Sequence, residues 1–282
     1  MPIQTKNWLN FEDKTVFMKH IFALIVLLAL ISSCRKSVRD EDRDTKTAED
    51  FATADICFND FSNLLTEVIS NESGLRSTNL LSGATVTVDT LTFPMTVSID
   101  FGTGVTGIDG RTRSGIINAT FTGKYRDSLT VITITPNNYF LNGRKIEGTK
   151  IVTNKGHNAA GNLWFKVEIN NAIITDTTEN WTITFESDRI REWISGEGTS
   201  VLTDDVYEIS GTMDGIGRQG NHFMASTATN VTVKLDCAWP VSGEIEVQPD
   251  NVSPRYINFG SGTCDNDAKI TVNGYEFDVE MQ

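Results

Sequence analysis

From about Leu81 to the end of the chain, apolar side chains recur at alternate positions. A chain patterned in this way is constrained to strands with one buried and one wet face. In Trp181-Thr182-Ile183-Thr184-Phe185 the apolar groups alternate with threonines, and Phe277, Val279 and Met281 alternate with Glu276, Asp278 and Glu280. Two Asn-Gly dipeptides, Asn142-Gly143 and Asn273-Gly274, sit between such runs. That pair supplies the positive φ that both central positions of a type I′ hairpin need. The expected fold class is therefore all-β, an antiparallel meander over residues 81–282. A sandwich is the first expectation for its architecture and an open or curved sheet the second.

Residues 47–74 have a different period. Thr47 with Asp50 three positions on has the spacing of a capping box, and Phe51, Ala54, Phe58, Phe61, Leu65 and Val68 follow at helical intervals. One N-terminal amphipathic helix is expected to pack on the strands. Cys57 lies on its apolar stripe with no Lys, Arg or His a turn away, so it reads as a small buried hydrophobe and not as a reactive thiol. An internal echo, Ile99-Asp100-Phe101-Gly102-Thr103-Gly104 against Ile257-Asn258-Phe259-Gly260-Ser261-Gly262, raises two related halves as an alternative to one continuous β domain. Two copies are fewer than a solenoid needs.

The amino terminus reads as an export signal. Ile21 to Ile31 is an uninterrupted apolar run behind Met18-Lys19-His20. It is shorter than the ~20 residues of a spanning helix and fits a signal-peptide core. It leads into Leu30-Ile31-Ser32-Ser33-Cys34, which resembles the bacterial lipobox, so residues 1–33 are expected to be removed and Cys34 lipidated. Glu12 and Asp13 do not suit a signal peptide, which points to Met18 as the true start. Residues 34–46 are polar throughout and read as a charged tether.

The 282 residues carry a formal charge of −13, which argues against nucleic acid, because phosphate binding takes clustered Lys and Arg. Of the four cysteines, Cys237 and Cys264 are expected to pair in an oxidising envelope. No His-Glu-x-x-His helix, nucleophile elbow or phosphate loop is present. His157 and His222 stand in polar, turn-like contexts, and paired carboxylates for glycoside hydrolysis stay open because their separation in space defines them. The turn Asp265-Asn266-Asp267 fails the EF-hand pattern at Lys269, so no metal is expected. Trp164, Trp181, Trp193 and Trp239 are candidates for a carbohydrate platform, with the core claiming Trp181 first.

The lipobox, the stretch IDFGTGVTGIDGRTRSGIINATFTGKY, the hairpin YFLNGRKIEGTKIVTN, and the endings CAWPVSGEIEV and FGSGTCDNDAKITVNGYEF together resemble a group of Bacteroidota cell-envelope lipoproteins of unassigned function. The resemblance covers nearly all of the mature chain. It implies an envelope location and nothing enzymatic. In that group the first half also carries a cysteine pair, whereas here the Phe-Gly-x-Gly turn runs into Val105-Thr106-Gly107. Three tripeptides, beginning Asp89-Thr90, Asp127-Ser128 and Asp176-Thr177, are similar to the O-glycosylation signal of exported Bacteroidota proteins and make Thr90, Ser128 and Thr177 candidate sites.

The functional expectation is a non-enzymatic, lipid-anchored envelope lipoprotein, at the periplasmic face of the outer membrane or on the cell surface. It would have no cofactor and would present a β-rich surface to an envelope protein or glycan. The alternative is a carrier or chaperone for an apolar envelope molecule, which a cavity with continuous apolar lining would favour and a filled interior would disfavour. A glycan-binding or glycan-processing protein is the third reading.

Overall fold

The computed structural model describes residues 42–72, 80–199 and 201–281. Helix α1 spans Lys46–Glu72. Fourteen strands follow: β1 Thr85–Asp89, β2 Met95–Asp100, β3 Val105–Thr106, β4 Thr112–Phe121, β5 Val131–Leu141, β6 Arg144–His157, β7 Leu163–Asp176, β8 Trp181–Ser195, β9 Val206–Ile216, β10 His222–Lys234, β11 Pro240–Pro249, β12 Arg255–Ser261, β13 Asp267–Val272 and β14 Tyr275–Glu280. They form one antiparallel sheet in chain order, with β3 paired only to β4. β1 and β14 are its two edges.

Among the described residues the meander and the one α-helix are as the periodicities predict. The sheet is continuous, so the curved sheet and not a pair of facing sheets is the architecture. Both Asn-Gly pairs make their turns, with φ of 51° and 81° at Asn142-Gly143 and 50° and 80° at Asn273-Gly274. The echoed segments end β2, second from one edge, and β12, third from the other, within that one sheet. What they share is local, since each ends a strand whose isoleucine, Ile99 or Ile257, points into the core.

The helix lies on the concave side and decides the curvature. Phe58 and Asp60 are two residues apart, about 3 Å along the axis. Phe58 meets Phe185 of β8 with ring centroids 5.2 Å apart, and Asp60 bonds Arg113 of β4 and Tyr139 of β5. Strands β4 to β8 would be about 19 Å apart in a flat sheet, wider than a helix of about 10 Å, so the sheet must curl around α1 there. Bulges permit the bend. At Gly115 the register of β4 against β5 slips, φ is 80°, and an added Cβ would lie 1.9 Å from the Asn138 carbonyl oxygen. No side chain fits there.

The helix start differs from expectation. Thr47 and Asp50 are buried, and their side chains face the sheet: Asn221 donates to Thr47 Oγ1 at 3.2 Å and the Arg218 amide donates to Asp50 Oδ2 at 2.9 Å. No capping box forms. The cap lies two residues earlier, where the Lys46 amide donates to Asp44 Oδ1 at 3.0 Å and Thr45 Oγ1 donates to Glu49 Oε1 at 2.7 Å. The tether is correspondingly shorter than residues 34–46. Arg255 donates to Asp42 Oδ1 at 2.9 Å and to the Asp44 carbonyl at 3.0 Å, and Asn273 donates to the Asp42 carbonyl at 2.8 Å. The chain is therefore held on the sheet from Asp42 onward.

Candidate functional site

The hairpin connections of a meander alternate between two rims. One rim carries the turns 142–143, 177–180, 217–221, 250–254 and 273–274, and the chain joins the sheet beside it at Asp42. The other carries the loops 90–94, 122–130, 158–162, 196–205, 235–239 and 262–266. Between them lies the interior, where many chemically active side chains converge.

There the helix contributes acids and the sheet contributes cations. Asp50 pairs with Arg218 beside the β9–β10 turn, Asp55 with Arg189 of β8, and Asp60 with Arg113 of β4. Arg113 Nε donates to Asp60 Oδ2 at 3.0 Å and Nη2 to Oδ1 at 2.5 Å, while Nη1 and Nη2 also reach Asp109 at 3.0 and 2.6 Å. The Tyr139 hydroxyl donates to Asp60 Oδ2 at 2.6 Å. Asp60 is fully buried and Arg113 is 1% exposed, so both charges are desolvated and each satisfies the other.

Burial and the Asp60 charge hold the Tyr139 hydroxyl far above the usual phenol range. Burial also pushes Arg113 toward losing its proton, but the bonds to Asp60 and Asp109 outweigh this and hold the proton more firmly. Lys150 of β6, with no carboxylate bonded to it, instead donates to the Phe58 carbonyl at 2.9 Å and to Ser62 Oγ at 2.6 Å. Desolvation, reinforced by the Arg191 charge, lowers its pKa to about 7. Cys57 is 2% exposed and burial pushes its thiol up to about 12, which fits a structural hydrophobe.

Near the second rim, Arg191 packs against the rings of Phe165 and Tyr207, 5.1 and 4.9 Å from their centroids, and bonds the Tyr125 hydroxyl. Asp205, beside Asp204 and largely out of water, is raised to about 6 by burial first and by that neighbouring charge second.

This arrangement locks a helix into a sheet. A cavity of about 40 Å³ lies beside the Asp55–Arg189 pair, bordered by Phe51, Asn59, Met213, Thr227 and Phe259. That is room for a few water molecules and too little for a lipid or a sugar.

The residues singled out from sequence lie elsewhere. Cys34 falls outside the described residues. Cys237 and Cys264 are joined, with Cα atoms 5.7 Å apart, and bridge two loops of the second rim. Thr90, Ser128 and Thr177 are exposed in three separate turns. His157 contacts Glu197 at 2.9 Å, and His222 sits between Asp214 and Asp250 at 3.2 and 3.1 Å, with the bonds to Asp250 and then Asp214 raising its pKa. The two carboxylates flank opposite ring nitrogens and cannot converge on one ion. Asp265 accepts the Asp267 amide in an ordinary turn, and no cluster suited to a metal occurs among the described residues. Trp181 and Trp193 are buried and Trp164 and Trp239 half-buried, so the four do not make an exposed platform.

Asp60, Arg113, Tyr139 and Lys150 were not evident from sequence. A signal existed for one of them: Asp60 occupies the same stripe as Cys57, Phe61 and Leu64, and an acid there needs a buried partner. No family model, no curated protein and no solved structure matches this chain.

Proposed function

We propose that this chain is a lipid-anchored lipoprotein of the cell envelope, held at the outer membrane through Cys34, which presents its β domain as a non-enzymatic interaction module. The observation that supports it over the carrier reading is the filled interior. Helix α1 occupies the concave side that a carrier would leave for its cargo, and the cavity beside the Asp55–Arg189 pair holds only about 40 Å³.

The anchoring geometry is consistent with this reading. Asp42 is fixed to the sheet by Arg255 and Asn273, eight residues beyond Cys34. At most ~3.5 Å per residue keeps that rim within about 28 Å of the acyl chains. Exposed surface on the strands and on the far rim remains available to an envelope protein or glycan.

Mass spectrometry of the protein purified from envelopes, first native and then denatured, tests the reading. The expected result is a covalent acyl modification that disappears in Cys34→Ser, and no second mass lost on denaturation. An unmodified Cys34 would remove the anchor, and an apolar molecule released in stoichiometric amount on denaturation would restore the carrier.

A further inference from the structure

The two edges of the sheet are protected very differently. β14 alternates Phe277 and Val279 with Glu276, Asp278 and Glu280, all three carboxylates exposed. Any second β14 laid antiparallel with its faces matched sets carboxylate against carboxylate: Asp278 opposite Asp278 in one register, Glu276 opposite Asp278 in the next. Like charges directly opposite disfavour the pairing. This edge is blunted in the way natural sheets avoid sticking to each other.

β1, Thr85-Val86-Thr87-Val88-Asp89, carries one charge only, Asp89 at its end, whose carboxylate is engaged by the Leu91 amide and the Thr92 hydroxyl. It contains no Lys, no Pro and no bulge against β2, and among the described residues nothing pairs with its outer side. Its valines stand opposite Ile99 and Val97, which are buried, so they continue the inner apolar row of the sheet. At the edge that row runs out into water, and Val86 is 38% exposed.

We infer that β1 pairs with β1 of a second copy of this chain, antiparallel, about a two-fold axis through Thr87. In that register Val86 faces Val88 on the inner side, and on the outer side Thr85 faces Asp89 and Thr87 faces Thr87. Val86 with Val88 and Thr87 with Thr87 are favourable cross-strand pairs, and no carboxylate meets another. The same register continued beyond the strand brings Leu91 and Phe93 of one copy toward the Leu80–Leu81 turn of the other. These are 95% and 69% exposed, Leu91 more so than any other large apolar side chain among the described residues.

One operation therefore covers both the unprotected edge and the adjoining apolar loop. The contact is isologous and closes at two copies, since the remaining edge of each copy is the acidic β14. Five residue pairs form a small interface. Confinement to a membrane would raise the effective concentration. Two copies on one bilayer meet this symmetry with the axis along the membrane normal and β1 parallel to the surface.

Cross-linking in whole cells expressing the full chain tests the pairing, whether or not the chain is anchored. Cys57 is buried, Cys237 and Cys264 are bonded, and the parent chain without an added thiol controls for any dimer formed through Cys34, so the increase caused by a thiol introduced at the edge reports on the edge. Oxidation of Thr87→Cys is expected to give a covalent dimer that reductant reverses, while Asp278→Cys at the other edge stays monomeric. Adding Val86→Lys should lower the dimer yield about fivefold, by removing one cross-strand apolar pair in each half of the interface. Leu91→Asp, in an exposed loop where it cannot unfold the sheet, should lower it as well. Thr87→Cys remaining monomeric, or Asp278→Cys cross-linking equally well, overturns the proposal. So does a ladder of higher species from the Thr87→Cys/Asp278→Cys double variant, which would mean head-to-tail stacking.

Discussion

Asp60 and Arg113 stand 53 residues apart in the chain and meet inside it, one carboxylate accepting two bonds from one guanidinium with neither group open to water. The pair fixes which turn of α1 lies under β4. Asp50 with Arg218 and Asp55 with Arg189 repeat the arrangement along the helix. An apolar stripe alone could slide along an apolar sheet; matched charges at three points allow one position.

Removing one partner of the central pair should be costly. Asp60→Ala leaves the Arg113 charge and the Tyr139 hydroxyl without their acceptor, and urea unfolding is expected to show a loss of about 3–5 kcal/mol. The double variant Asp60→Leu/Arg113→Met should lose less than either single change, because the two fully buried charges leave together; Asp109 and Arg111, which lose a partner, lie nearer water, and Tyr139 loses only a neutral hydroxyl's acceptor. Equal losses from the single and double variants would show that packing and not charge matching is at stake.

Lys150 should make stability depend on pH. Its folded pKa is about 7 and the ordinary lysine value is 10.5, so between these limits the unfolded chain holds a proton that the folded chain has given up. Stability therefore rises with pH from about 7 to about 10.5, by up to about 1.4 kcal/mol for each unit. Below pH 7 both states are protonated and this gain is absent. Lys150→Met should flatten that part of the profile, and the difference between parent and variant isolates Lys150 from tyrosines that titrate above pH 10.

Cys57 should be silent in the folded protein. Its thiol is 2% exposed and its pKa is about 12. A thiol reagent added to Cys34→Ser protein at pH 8 is expected to find no reactive group until denaturant is added, and then one. Rapid labelling under native conditions would mean that α1 leaves the sheet readily.

The Cys237–Cys264 bond closes a loop of 27 residues across the β11–β12 hairpin. Its removal in Cys237→Ser/Cys264→Ser should lower stability by about 3–4 kcal/mol through the freed unfolded chain. Thermal unfolding with and without the bond measures it, and an unchanged midpoint would mean that the loops are held by other contacts.

The strands were legible because a half-buried strand writes its burial directly into a period of two, and the hairpins because Asn-Gly suits the positive φ of a tight turn. The buried thiol at Cys57 followed equally directly from the helical stripe. The Thr47–Asp50 spacing misled, since both side chains are drawn into the interface with the β9–β10 turn, and capping passed to Asp44, Thr45 and Glu49. The interior network stayed hidden because its members are distant in sequence: Arg113 opens a strand among polar residues, and Lys150 looks like any solvent-facing lysine of an alternating run.

The sequence by itself determined the kind of structure, one helix followed by a long antiparallel meander, because those choices depend on neighbours within a few residues. Only the tertiary structure decided that the sheet is continuous and curls around the helix, that the helix occupies its inner side, and that one edge is guarded by three carboxylates while the other carries a single one at its end. Those outcomes depend on which distant charges and bulges come together. Local periodicity records whether a residue is buried, but not which residue buries it.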